Sequence, residues 1–318
     1  MVKYVDVIIP TFNRAQLIEP AVKAALDQSH SNKRVVVIDD GSTDQTRNIL
    51  SSFFDHPDFL YIGLPSNVGT AFAKNVGIAL SDASALTFHD SDDRPHVDKV
   101  LLQSRALFQP DVGADPCLNW ALAGHAPGSF LDISWVLTHH TLILPDGRRV
   151  DIRRDLSLLD DVFPNLQLGS TVPGEWTHIN SGLFSKHVFT RLGGFSDCIE
   201  EDREFRNRLI LSGEPLWIVP EPLLTKIETA DSLTQSAASD YDSARRKSDR
   251  TKVWRKVEAW RATGKVKPEP IDLPSLEGAF VSRAESLKAS NALMTDTTRE
   301  AIHRLAARIM NGNCVAAQ

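Results

Sequence analysis

Two groups of aspartates stand directly after two short apolar runs. Asp39-Asp40 follows Val35-Val36-Val37-Ile38, and Asp90-Ser91-Asp92-Asp93 follows Ala85-Leu86-Thr87-Phe88-His89. Apolar runs without polar alternation read as strands covered on both faces, as in a parallel α/β sheet. Ligands of such sheets bind beyond the carboxyl ends of the strands, so both acidic groups are expected to open into one crevice. Carboxylates crowded there need a cation, and oxygen ligands with room for water and phosphate suit Mg2+ or Mn2+. The ligand implied is a metal-bound nucleotide diphosphate compound. Calcium storage does not fit, because neither the spacing nor the glycine of an EF-hand follows.

The elements that would position these acids read as alternating strands and helices. Strands are expected over Val5 to Pro10, Val35 to Ile38, Phe59 to Gly63 and Ala85 to His89. Helices are expected near Ala15 to Gln28, from a Ser42 or Thr43 cap to Phe53, over Thr70 to Leu80 and over Val97 to Phe108. This β-α-β-α rhythm predicts an open, mostly parallel sheet flanked by helices. Beyond Pro110 the rhythm changes. Leu142 to Val150 reads as a hairpin turning at Asp146-Gly147. A strand near Asn180 to Phe184, a short helix over Val188 to Leu192 and a longer one over Glu200 to Leu211 follow. A short strand over Leu216 to Val219 is expected to stop at Pro220 and Pro222. The rhythm divides the chain at about 110 and 230, with a helical extension over 231–318.

At 318 residues the chain can bury a substantial core. A formal net charge of −6 argues against general nucleic-acid binding. Cys117, Cys198 and Cys314 are far apart and form no CxxC pair, which fits free thiols in a reducing compartment. The first strand begins almost at once, leaving no secretory signal, and no apolar stretch reaches the roughly 20 residues of a membrane span. A cytoplasmic protein is expected. The segment 243–267 holds ten Lys/Arg against Asp249 and Glu258, with Val253, Val257 and Trp260 on one helical face. Such a helix fits two placements: on the inner face of an anionic membrane, or packed on the rest of the chain. Asp296 to Met310 reads as a second amphipathic helix with a stripe of Ala301, Leu305 and Ile309.

Taken in order, Pro10-Thr11-Phe12-Asn13-Arg14, Ile38-Asp39-Asp40-Gly41-Ser42-Thr43-Asp44, Asn67-Val68-Gly69, Lys74-Asn75-Val76-Gly77 and Asp90-Ser91-Asp92-Asp93 resemble family 2 glycosyltransferases of the GT-A fold. Asn180-Ser181-Gly182, Gly193-Gly194-Phe195 and Glu201-Asp202 continue the series, so the resemblance covers roughly residues 4 to 228. It implies an inverting transferase that moves one sugar from a UDP-sugar to an acceptor hydroxyl, and makes 1–110 a nucleotide-sugar-binding half and 111–230 an acceptor-binding half. By position, Pro10, Thr11, Asn13, Asp39, Asn67, Lys74, Asp90 and Asp92 would bind the nucleotide sugar. Asp39 would accept the uracil N3–H, while Asp40 would cap the following turn and helix.

The resemblance further makes Asp92 the metal ligand, with Asp90 and Glu228 as further candidates, and the ion Mn2+ or Mg2+. Asp93 stays open between an outer role and a solvated one. Lys74 stays open between a nucleotide contact and an ordinary surface lysine. Asp202 would be the general base, against a plainer reading in which Glu200, Glu201 and Asp202 only complement the helix dipole. Glu204 and Arg208 read as a surface pair of little energetic weight. Trp176, His178 and Asn180 are candidates to line the acceptor pocket.

Two departures from the family stand out. The stretch Lys226-Ile227-Glu228 has no histidine where many relatives carry one, and the QxxRW segment and membrane helices of processive relatives are missing. One sugar per acceptor is the expectation. The rivals are a nucleotidyltransferase, a non-catalytic nucleotide-sugar binding module and a dinucleotide oxidoreductase. The first needs a Gly-rich basic loop after the first strand, where Thr11-Phe12-Asn13-Arg14-Ala15 has no glycine. The last needs a GxGxxG there, and none occurs.

Overall fold

The computed structural model describes residues 3–108, 133–152, 179, 182–227, 243–273, 276–283 and 292–310. Four parallel strands come first: β1 (Val5–Thr11), β2 (Lys33–Asp39), β3 (Phe59–Gly63) and β4 (Ala85–Phe88). Between them lie α1 (Ile18–Leu26), α2 (Thr46–Leu50) and α3 (Thr70–Ala79). Side chains alternate across each strand. Val5, Val7, Ile9, Val35 and Val37 face one buried cluster with Ile18, Val22 and Val100, while Ile8, Val36 and Ile38 face another with Val76, Phe184 and Phe205. Both faces are thus covered, which is why these strands carry no polar alternation.

The second half extends the same sheet. It contributes β5 (Arg94–Pro95), α4 (Lys99–Phe108), β6 (Trp135–Ile143), β7 (Arg149–Ile152), β8 (Leu183–Ser185), α5 (Lys186–Leu192), α6 (Glu201–Leu211) and β9 (Leu216–Ile227). Then come α7 (Ala244–Thr263), β10 (Phe280–Val281) and α8 (Asp296–Met310). The strand order is β10-β3-β2-β1-β4-β8-β6-β9-β5, with β7 on β6. The hairpin turns at Asp146-Gly147 as expected, Gly147 taking φ 84°.

One strand is longer than its sequence suggests. β9 does not stop at Pro220 and Pro222 but runs on to Ile227. The prolines sit where the β6–β9 register jumps, from Thr138 opposite Val219 to His139 opposite Pro222. Pro220 is left out of the ladder at this irregularity, and Pro222, opposite His139, stands between its two register shifts, where the regular bond pattern is already interrupted. The consequence is functional, because the far end of β9 carries Lys226. The helix after β2 is also shorter than expected. It spans Thr46–Leu50, and Asp44 rather than Ser42 or Thr43 accepts from its first N–H, 2.9 Å from Thr46 N.

The basic segment takes the packed placement. Val253, Val257 and Trp260 of α7 are buried against Cys198 and Leu211. β10 pairs with the free edge of β3, and Ile302 and Leu305 of α8 join the larger core cluster. No helix among the described residues is long and apolar enough to cross a membrane. Because Trp260 fills the α7 seam, Trp260→Ala should cost about 3 kcal/mol of unfolding free energy, read as a lower urea midpoint at unchanged slope.

Candidate active site

The loops after β1 and β2 are laced to each other. Asn13 stands at φ 50°, a left-handed backbone that asparagine tolerates. Its N–H donates to Ser42 Oγ at 2.8 Å, and its Oδ1 accepts from Thr43 N at 2.9 Å. Arg14 N donates to Thr46 Oγ1 and Ala15 N to Asp44 Oδ2. Thr11 and Asp39 are register neighbours, directly beside each other at the strand ends. Thr11 Oγ1 is buried and has no hydrogen-bond partner among the described residues.

The two leading aspartates divide their work differently from expectation. Asp39 makes the local turn: its Oδ1 accepts from Ser42 N at 2.9 Å, and its Oδ2 accepts from the Tyr61 hydroxyl at 2.7 Å. Each oxygen keeps a further lone pair for a ligand donor. Asp40 does not cap the turn and helix that follow it. It reaches across to the next loop, accepting from Val68 N and Gly69 N at 2.8 Å each and from Asn67 Nδ2 at 3.0 Å. The loops can approach this closely because residue 41 is glycine at φ 74°, where a Cβ would overlap the Ser66 backbone. Asn67 therefore fixes the loop geometry, as Asn13 does.

At the end of β4 the carboxylates of Asp90, Asp92 and Asp93 offer oxygens that all lie within 4.8 Å of one another. Asp93 is 1% exposed. Burial pushes its carboxyl up to about 7, with Asp90 and Asp92 adding to the effect and Lys226 opposing it. Burial and then the charge of Asp90 also raise Asp92, while Lys226 and Arg14 pull it down. Lys226 Nζ lies 3.3 Å from Asp90 Oδ2 and 3.9 Å from Asp93 Oδ1. The pairing of β5 with β9, Arg94 opposite Thr225, brings that lysine over the cluster. The residues present fit a hard divalent ion, since Asp93 Oδ2 is buried with no hydrogen-bond partner among the described residues and the donor set is all carboxylate. Asp93, left open by the sequence, is an inner and buried member of this group.

Lys74 is not an ordinary surface lysine, being 1% exposed and ion-paired with Glu201 at 3.1 Å. Its ammonium loses hydration on burial, yet Glu201, Asp90 and Asp202 together hold its proton more firmly than usual. One lysine thus stands where the β4 acids and the start of α6 meet. Asp202 is half-buried, and its Oδ1 accepts from Arg203 N at 2.7 Å. Burial first and Asp202 third raise the Glu201 carboxyl, with Lys74 opposing.

Three supports hold the start of α6 in place. Asn75 exchanges two hydrogen bonds of 2.8 Å with the backbone of Phe195. The Arg208 guanidinium donates to the carbonyls of Leu192 and Gly194 while bonding both Glu204 oxygens. Glu200, 2% exposed, is gripped by Arg203 and by Arg246 and Arg250 of α7, the last two at 3.3 and 3.2 Å. The expectation of a surface Glu204–Arg208 pair is wrong, since both side chains are fully buried. That face of α6 packs on the Gly193-Gly194 turn, whose carbonyls need donors. At Gly193, φ 78°, a Cβ would overlap the Glu269 carbonyl of the passing C-terminal segment.

Trp176, His178, Asn180 and Glu228 lie outside the described residues. Sequence reasoning assigned no role to Arg14, Lys226 or Tyr61. Arg14 had a visible signal, a cation one residue after Asn13 in the first loop. Removing Arg208 strands a buried carboxylate, so Arg208→Ala should cost about 3–5 kcal/mol in chemical denaturation, against under about 1 for an exposed pair.

Residues 6–116 match the description Glycosyl transferase family 2. TuaG, a Bacillus subtilis protein named as a teichuronic acid biosynthesis glycosyltransferase, is 36% identical over 106 residues, 33% of this chain and 42% of its own. Glycosyltransferase AglE of Haloferax volcanii is 36% identical over 217 residues, 67% of this chain and 60% of its own. The chain thus spans less than two thirds of the length of these relatives. The crystal structure of S. aureus TarS 1-349 in complex with UDP-GlcNAc resembles this fold with a TM-score of 0.54 at 19% identity, covering 74% of this chain and 61% of that one. The matched segment carries the strand-end acids and the loops that hold them: residues 6–116 match glycosyltransferase family 2, and the sheet has the GT-A fold.

Proposed function

We propose that the chain transfers one sugar from a UDP-sugar to an acceptor hydroxyl with inversion at the anomeric carbon. The observation that carries this reading is the junction at Lys74, where the β4 acids and the Glu201-Asp202 pair face one buried ammonium. A donor diphosphate belongs beside Asp90 and Asp92, and a base for the acceptor belongs at Asp202. The TarS structure binding UDP-GlcNAc on the same fold supports a uridine donor, and Thr11 and Asp39 at the adjacent strand ends offer polar groups for the base.

Asp90, Asp92 and Asp93 would hold Mn2+ or Mg2+, which when bound supplies positive charge to the departing diphosphate. Asp202 takes the proton of the acceptor hydroxyl. The acceptor oxygen then forms its bond to the anomeric carbon on the face opposite the diphosphate, as the bond to the leaving oxygen breaks. Lys74 keeps Glu201 ionised and fixed, so that the neighbouring Asp202 is presented at a defined angle. The reading also takes Asn67 and Asn13 as indirect contributors, which set the loops rather than touch the donor.

Hydrolysis or transfer from a UDP-sugar with Mn2+ tests the assignment. Asp202→Asn should lower turnover about 10²- to 10⁴-fold, the usual span for a lost general base, with UDP affinity unchanged. Undiminished turnover in that variant contradicts the role given to Asp202. If UDP raises the melting temperature of neither the wild type nor the variant with Mn2+ present, the donor assignment fails.

A further inference from the structure

The acidic cluster already contains a cation of the chain's own. Lys226 Nζ lies 3.3 Å from Asp90 Oδ2 and 3.9 Å from Asp93 Oδ1, two of the three carboxylates of the cluster. It is delivered there by the bulged strand β9, whose partner β5 begins one residue after Asp93. Its side chain is 20% exposed. The cluster is not saturated by it, because Asp93 Oδ2 has no hydrogen-bond partner among the described residues.

Resting on the sugar-transfer reading above, we propose that Lys226 keeps a divalent ion out of the nucleotide-free site, so that the ion enters together with the donor's diphosphate. Ammonium and metal compete for the same carboxylates, Asp90 and Asp93, and at ion-pair distances a dication and an ammonium repel each other. A metal arriving alone has to displace the lysine from Asp90 and Asp93. A diphosphate changes that balance in two ways. Its oxygens ligate the ion on the side away from the carboxylates, and its charge gives the displaced ammonium a new partner. Lys226 is then a positioning residue: it moves from carboxylate to phosphate as the donor binds, and no covalent step passes through it.

Calorimetric titration of the full chain with MnCl2, with and without saturating UDP, tests this without any turnover. In the wild type, Mn2+ affinity should rise about 30-fold or more when UDP is present, and UDP affinity should rise by the same factor with Mn2+. Lys226→Met should bind Mn2+ alone about tenfold more tightly than the wild type, while Lys226→Arg, which keeps the charge, stays within about threefold of it. Circular dichroism checks that each variant is folded, and the wild-type titration decides even if one is not. Wild-type protein that binds Mn2+ equally well with and without UDP overturns the proposal. So does a folded Lys226→Met variant that binds Mn2+ alone no more tightly. Those results leave UDP binding intact and count against Lys226 only, whereas no UDP binding under any condition sinks the donor reading and this proposal with it.

Discussion

The carboxylates of Asp90, Asp92 and Asp93 crowd the end of β4, the Glu201-Asp202 pair acts on the same lysine, Lys74, as Asp90 does, and like charges gathered so closely stay ionised only with cations between them. The chain answers that constraint at three places. Lys74 stands between the β4 acids and α6, Lys226 sits over Asp90 and Asp93, and Arg14 reaches toward Asp92 from the first loop. Each cation comes from a different part of the sequence, so their arrival at one edge is a property of the fold. The sheet supplies it: β1, β2 and β4 are parallel, and β9 runs parallel to β6, so their ends lead to a common side. Burial first, and the neighbouring carboxylates after it, still raise the carboxyls of Asp92 and Asp93. Their oxygens lie close enough together to hold a metal ion.

The scaffold around this edge uses polar side chains as struts. Asp40 ties the β2 loop to the start of α3, and Asn75 ties α3 to Phe195. Arg208 ties the Gly193-Gly194 turn to α6. Arg246 and Arg250 of α7 then hold Glu200, the residue before the Glu201-Asp202 pair. The C-terminal segment thereby contributes to the placement of Asp202 while standing outside the matched family region. Its basic character, which suits a membrane surface as well, is used partly on a buried carboxylate inside the chain.

Local signals were legible in the sequence and long-range ones were not. β1 to β4 could be read because two-face burial leaves an unbroken apolar run. The acidic loop after β4 could be read because carboxylates crowd the end of a buried strand only where a cation offsets their repulsion. The extent of β9 could not, since Pro220 and Pro222 signal a stop unless the bulge against β6 is known. The burial of Glu204 and Arg208 could not either, because an i,i+4 pair looks the same on a wet face and a dry one. The partnership of Lys226 with Asp90 spans 136 positions and leaves no local trace. The same holds for Tyr61 and Asp39, 22 positions apart.

On the proposed reading, the Asp90–Asp93 loop holds a divalent ion that carries the donor's diphosphate. Anomalous scattering at the manganese edge, from crystals grown with UDP and Mn2+, tests that placement directly. One peak about 2.0–2.5 Å from carboxylate oxygens of this loop, bridging to the diphosphate, is the expected result. A peak elsewhere in the molecule, or a bound UDP whose phosphates lie away from Asp92 with no manganese beside them, contradicts it.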